Sequence, residues 1–128
     1  QQLHARIAHI LENQFPEIAS ATPEFVAQYY SEGGVPAQAI PHWLRAGQNA
    51  LRRSAIAEAM SHLSKGLELV PTLQNELERK EHELGLQATL GLALAASRGY
   101  GVPEVEQAYR RARVLCDEIG NAPQLFPV

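Results

Sequence analysis

The chain has 128 residues, a formal net charge of −3 and a sequence pI near 5.9. Its 45% apolar and 20% charged residues suit a globular domain and exclude a disordered or collagen-like chain. The acidic balance excludes the basic field on which phosphate-backbone binding depends, and no apolar run of about 18 residues is present to span a membrane.

Ala and Leu dominate the apolar set, while the β-branched and aromatic residues that favour strands are sparse, and no period-two alternation runs beyond a few residues. An all-α fold is expected. Leu3, Ile7, Ile10 and Leu11 keep helical spacing, which predicts a first helix over 2–14 that ends at Phe15-Pro16. A second helix, 23–32, starts at Thr22 as cap with Pro23 in the first helical position, and stops at Gly33-Gly34.

From Pro36 to Arg53 the residues Ile40, Trp43, Leu44, Ala46, Ala50 and Leu51 keep the period, with Pro41 kinking the first turn or delaying the true start. Ser54 is the expected cap of a fourth helix, whose stripe of Ile56, Ala59, Met60, Leu63, Leu67 and Val70 closes at Pro71. The stretch 75–97 begins charged and turns apolar on both sides through Leu84, Leu86, Ala88, Leu90, Leu92 and Leu94, so its second half is expected between neighbouring helices. A last helix runs from Pro103, with Val105, Ala108, Ala112, Leu115 and Ile119 on one face, to Gly120-Asn121. Six helices with short links predict antiparallel hairpins stacked in chain order.

The run Trp43-x-x-Ala46-Gly47-x-x-Ala50, then Ala59-x-x-x-Leu63, then Pro71, resembles the tetratricopeptide signature of about 34 residues. Ala46, Ala50 and Leu63 replace the usual Leu, Tyr and Phe. A looser copy, Leu90-Gly91-x-x-Leu94 followed by Ala108-x-x-x-Ala112, carries a longer loop around Gly99-Tyr100-Gly101. One domain, 1–128, is therefore read as junction helices (1–34), a best repeat (36–73) and a degenerate repeat (76–121), forming a tetratricopeptide-like superhelix. Tyr30 followed by Ala39-x-x-x-Trp43 offers an overlapping register, so the pairing of helices stays open.

The runs Pro23 to Gly34, Gln38 to Gly47 and Gly99 to Tyr109 also resemble the repeat region of large bacterial proteins that join a class III adenylate or guanylate cyclase and an AAA-like signalling ATPase to a helical array. This resemblance implies a sensor or scaffold segment in the cytoplasm that binds a protein or peptide and carries none of the cyclase or ATPase residues. No initiator Met and no signal-peptide core open the chain, and Leu125-Phe126-Pro127-Val128 follow a fresh helix start, so a piece of a longer protein is expected, with uncapped end helices that self-associate through an exposed apolar face of the last helix.

His4, His9, His42, His62 and His82 are scattered without metal-ligand spacing, so no metal, cofactor or catalytic residue is expected. Cys116, the lone cysteine, reads as a small core residue beside Leu115, Asp117 and Glu118. Trp43 and Tyr30 read as packed aromatics ahead of interface anchors. Arg45, Gln48, Asn49 and Arg52 lie along the polar side of the third helix and form the candidate partner-binding surface, with ion pairing as the plainer account of these arginines and of Arg110, Arg111 and Arg113. A pocket for a small ligand within the superhelix is the alternative.

Overall fold

A computed structural model describes residues 2–120; Asn121, the Leu125 to Val128 segment and Gln1 lie outside the described residues. Among the described residues seven α-helices follow one another: α1 (Gln2–Gln14), α2 (Pro16–Ala21), α3 (Pro23–Glu32), α4 (Pro36–Arg52), α5 (Ile56–Leu69), α6 (Glu76–Arg98) and α7 (Pro103–Gly120). A 3₁₀ turn, Val70–Thr72, continues α5, and no strand occurs among the described residues.

The extra helix, α2, is built on the feature that predicted a stop. Pro16 ends α1 and also occupies the first helical position of the next element, where its missing N–H costs nothing. Six residues are too few to show a period, which is why the sequence reads as a break. Three proline-led starts, at Pro16, Pro23 and Pro36, follow residues with no side-chain cap bond. Thr22 stands at the cap position of α3, yet its hydroxyl donates back to the Ile18 carbonyl at 2.8 Å, so it closes α2 rather than capping α3.

Helix α4 starts at Pro36 and passes through Pro41 without delay. The lost amide falls in the second turn, opposite the carbonyl of exposed Ala37, which is open to solvent. Ser54 is not the cap of α5: it takes φ 62°, the left-handed conformation that ends α4, and Ala55 precedes α5. Asn75 does cap α6, accepting from the Glu78 amide at 2.8 Å.

Each of α3 through α7 packs on its predecessor or successor in chain order, α1 packs on α2 and α3, and α4 also meets α6. Consecutive helices thus pack on one another, and α4 with α5 and α6 with α7 are the most extensive pairs among the described residues. Small residues bring the helices together. A Cβ on Gly47 would lie 2.6 Å from Leu63 Cδ2, and one on Gly66 would lie 2.8 Å from Leu86 Cδ2, so α4, α5 and α6 approach through positions that only glycine fills without displacement. Ala59 and Leu63 are fully buried, as is Ala50, and Trp43 is 2% exposed.

The second hairpin, α6 with α7, uses the same device in a different register. Gly91 faces the ring of Tyr109, one residue after Ala108, whereas Gly47 faces Leu63, four residues after Ala59. Ala108 and Ala112 are buried, Leu90 partly so. The second half of α6 lies between neighbouring helices, as its apolar pattern predicts: α4, α5 and α7 pack on it, while Leu92 is 51% exposed on the face they leave open.

Two further expectations change. Cys116 is exposed, because its neighbour Leu115 holds the buried position on α7 and successive helical residues lie about 100° apart. The stripe of Val105, Ala108, Ala112 and Leu115 on α7 is covered by α6, so the last helix does not present its main apolar face. Exposed large apolar side chains occur along the chain, at Leu3, Ile10, Phe15, Ile18 and Phe25 in the first part and at Leu92, Tyr100 and Val114 in the last.

Candidate functional site

The exposed face of α4 is built by helical spacing. Arg45, Gln48 and Arg52 are exposed and Asn49 is half-buried, while Trp43, Ala46, Gly47 and Ala50 occupy the opposite, buried side. Arg52 donates to the Asn49 side chain, and neither Arg45 nor Arg52 forms an ion pair among the described residues. Arg110 and Arg111, by contrast, pair with Glu106 and Glu83. Leu44, next to Arg45 and one turn before Gln48, lies against Gly85 of α6; the same face of α6 continues through Ala88 to exposed Leu92. The α4 face thus offers two guanidinium groups without ion-pair partners among the described residues, a feature suited to a segment that carries carboxylates.

Trp43 lies beneath this face, not in it. Its indole N–H donates to Ser31 Oγ at 3.0 Å, and Ser31 in turn donates to the Ala27 carbonyl at 2.8 Å, which ties α4 to α3. His62 of α5 stacks on the other side of the indole at 5.7 Å, and the Lys65 ammonium sits 5.0 Å from the ring centroid. Burial lowers the His62 imidazole below its ordinary range, partly offset by Glu24 and Glu58.

A polar junction joins α1, α3 and α4. Tyr30 is fully buried, and its hydroxyl donates to the Glu12 carboxylate; the phenol oxygen faces His9 Nδ1 at 3.1 Å. Glu12 uses its other oxygen for His42 Nε2, 3.2 Å away, and the His42 ring stacks on Tyr30 at 5.8 Å. Burial, then the bond to Glu12 and its charge, hold the Tyr30 phenol above its usual range. Burial also holds His42 below its usual range, against the pull of Glu12 and helped by Arg45.

The histidines that look scattered in the sequence are therefore partly assembled: His9 and His42 meet around Tyr30. Sequence spacing misses this because 33 positions separate them, by subtraction of their numbers, and they share no helix. No group of three or more His, Cys, Asp or Glu side chains among the described residues is arranged to hold a metal ion. In this junction Tyr30, Glu12, His9 and His42 each have a polar partner on another helix, which suits joining helices.

Beside the junction a cleft of about 670 Å³ opens between His9, the start of α4 at Val35 to Gln38, and the stretch Thr72 to Glu78 that leads into α6. Leu73 and Val35 supply apolar surface; Gln38, Gln74, Asn75 and Glu78 supply polar groups. No helix among the described residues is long and apolar enough to cross a membrane. The comparisons with known proteins return no match: no family model, no curated protein and no solved structure is similar to this chain.

Proposed function

We propose that the chain is a non-catalytic helical-repeat scaffold that binds an acidic protein or peptide segment on the exposed face of α4, in the manner of a tetratricopeptide-like superhelix. The observation that supports the reading is the exposure of Arg45 and Arg52, neither in an ion pair among the described residues, on the helix whose Leu44 lies against Gly85 of α6. In a stack of hairpins the first helices of successive units lie side by side, and the contact of α4 with α6 fits that arrangement. The parent would be a bacterial cytoplasmic signalling protein that couples this recognition to a cyclase or ATPase. Nucleic acid is not proposed as a partner, because the chain as a whole carries a net charge of −3, and self-association would run through the exposed apolar residues of α1 to α3.

The test is binding of an acidic amphipathic peptide, measured by calorimetry, to the native chain and to the double charge reversal Arg45→Glu/Arg52→Glu. Loss of binding with retained thermal stability supports the scaffold reading. Equal affinity in both proteins overturns the assignment of this face.

A second reading, a small-ligand sensor, is favoured by the cleft beside His9, whose polar groups converge over Leu73 and Val35. A thermal shift with a small metabolite, abolished by Gln38→Ala and insensitive to the arginine reversals, would select it.

A further inference from the structure

Every described polar contact that α1 makes with α3 and α4 runs through a titratable side chain. His4 faces Glu32 at 3.1 Å, His9 and Glu12 meet Tyr30, and Glu12 meets His42. Apolar attachment is thin, since Ala8 is the one buried residue of the helix, supported by Leu11 at its edge. The tightest contact, Ala5 against Gly33, adds shape and little area.

The junction has room for one set of protons. Neutral His42 places its single N–H on Nε2, toward Glu12, and leaves Nδ1 buried without a partner. A second proton must go to Nδ1, where no acceptor waits and water does not reach, so charging the ring works against the closed arrangement. Protonation of Glu12 acts in the same direction, because a carboxylic acid offers one fewer acceptor to the two donors that converge on it. The lowered affinity of buried His42 for its second proton agrees with this geometry.

The α6–α7 hairpin has no buried imidazole of this kind. It is held by Leu94, Val105, Ala108 and Leu115 and by the paired bonds of Arg111 to Glu83, both 2.9 Å. His82 there is half-buried and faces Glu78 at 3.8 Å.

We propose that α1 is an acid-released latch: charging His42 frees α1 from the α3–α4 hairpin and uncovers Tyr30, while α6 and α7 stay folded. The titratable and charged groups that face the junction are Glu12 and His9 from α1, Tyr30 from α3, Arg45 from α4 and, across the cleft from His9, Glu78 of α6. Arg45 opposes a charged His42 and Glu12 favours it. His62 titrates against Trp43 in the α4–α5 contact and leaves α1 untouched.

Residue-resolved hydrogen exchange on the whole chain, corrected for intrinsic rates and stepped from about pH 7.5 to about pH 5.5, reads the latch directly. A one-proton linkage lowers the protection of the α1 amides about tenfold per pH unit below the imidazole range, with α6 and α7 unchanged. His42→Gln, which can still donate to Glu12 and does not titrate, flattens this slope, and His4→Gln does not. Should His42→Gln fail to fold, NMR titration of the native imidazoles decides: α1 exchange that shares the midpoint of the His42 ring supports the latch. Constant α1 protection, simultaneous loss in all helices, or release without His42 titration overturns it.

Discussion

Gly47 of α4 lies directly over the end of Leu63 of α5, so close that a Cβ at Gly47 would meet Cδ2 and Cγ at 2.6 and 2.7 Å. Leu63 is fully buried and has no free side to swing toward. The contact explains why a glycine stands in mid-helix, where it is otherwise unfavourable.

Gly47→Ala sets two effects against each other. Alanine gains about 1 kcal/mol of helix propensity, whereas overpacking a closed core costs about 1–3 kcal/mol, so a net loss of about 1 kcal/mol is expected. Gly91→Ala meets the ring of half-exposed Tyr109, which can turn outward, and should be less damaging than Gly47→Ala. Urea denaturation of both variants checks the ranking. Equal losses would show that Tyr109 is held as firmly as Leu63.

Ser31→Ala leaves the indole N–H of Trp43 buried and unpaired, since Ser31 Oγ is its acceptor at 3.0 Å. A loss of about 1–3 kcal/mol is expected. Trp43 is the single tryptophan, so its fluorescence reports the site without interference. An unchanged urea midpoint and emission spectrum would contradict the account.

Tyr30 predicts an alkaline limb of stability. A phenol whose folded value is raised contributes stability that is fully present below its unfolded value, about pH 10, and is lost as pH rises beyond it. Tyr30→Phe should remove that limb and lower stability near neutrality, because Glu12 and His9 both lose a partner. Melting temperature against pH tests both parts, and a retained alkaline limb in the variant would assign it to other groups.

The Glu83 to Arg111 pair predicts an acid limb in the other half of the molecule. The hydrogen bond from Arg111 holds the Glu83 carboxyl below its usual range, against the opposing effect of burial. Its stabilisation is present above the unfolded carboxylate value and is lost as pH falls through the folded one. Because Arg111 is 45% and Glu83 19% exposed, solvent screening limits the pair to about 1 kcal/mol. Arg111→Lys should lose most of it, since an ammonium cannot make both bonds at once. A double-mutant cycle with Glu83→Gln measures the coupling, and a value near zero refutes the assignment.

The helical fold was readable because its cause is local. Periodic apolar residues at Ile40, Trp43, Leu63 and Leu115, prolines at helix starts and glycines at ends act within a few positions, and the observed elements follow them. Gly47, Ala59 and Leu63 were legible as a close-packed set because their spacing within one hairpin encodes the contact. Helix α2, by contrast, was too short for a period, and the role of Ser54 depended on a backbone conformation that serine does not announce.

What the amino-acid order determined alone was helix content, the proline-marked boundaries and the α4–α5 contact, since each rests on neighbours in the chain. Only the tertiary structure decided that Cys116 faces outward, that Leu92 is uncovered and that Glu12, Tyr30 and His42 meet. The physical reason is that burial and proton sharing depend on which distant helices come together, and that choice is made by the shape of whole faces rather than by any short run of residues.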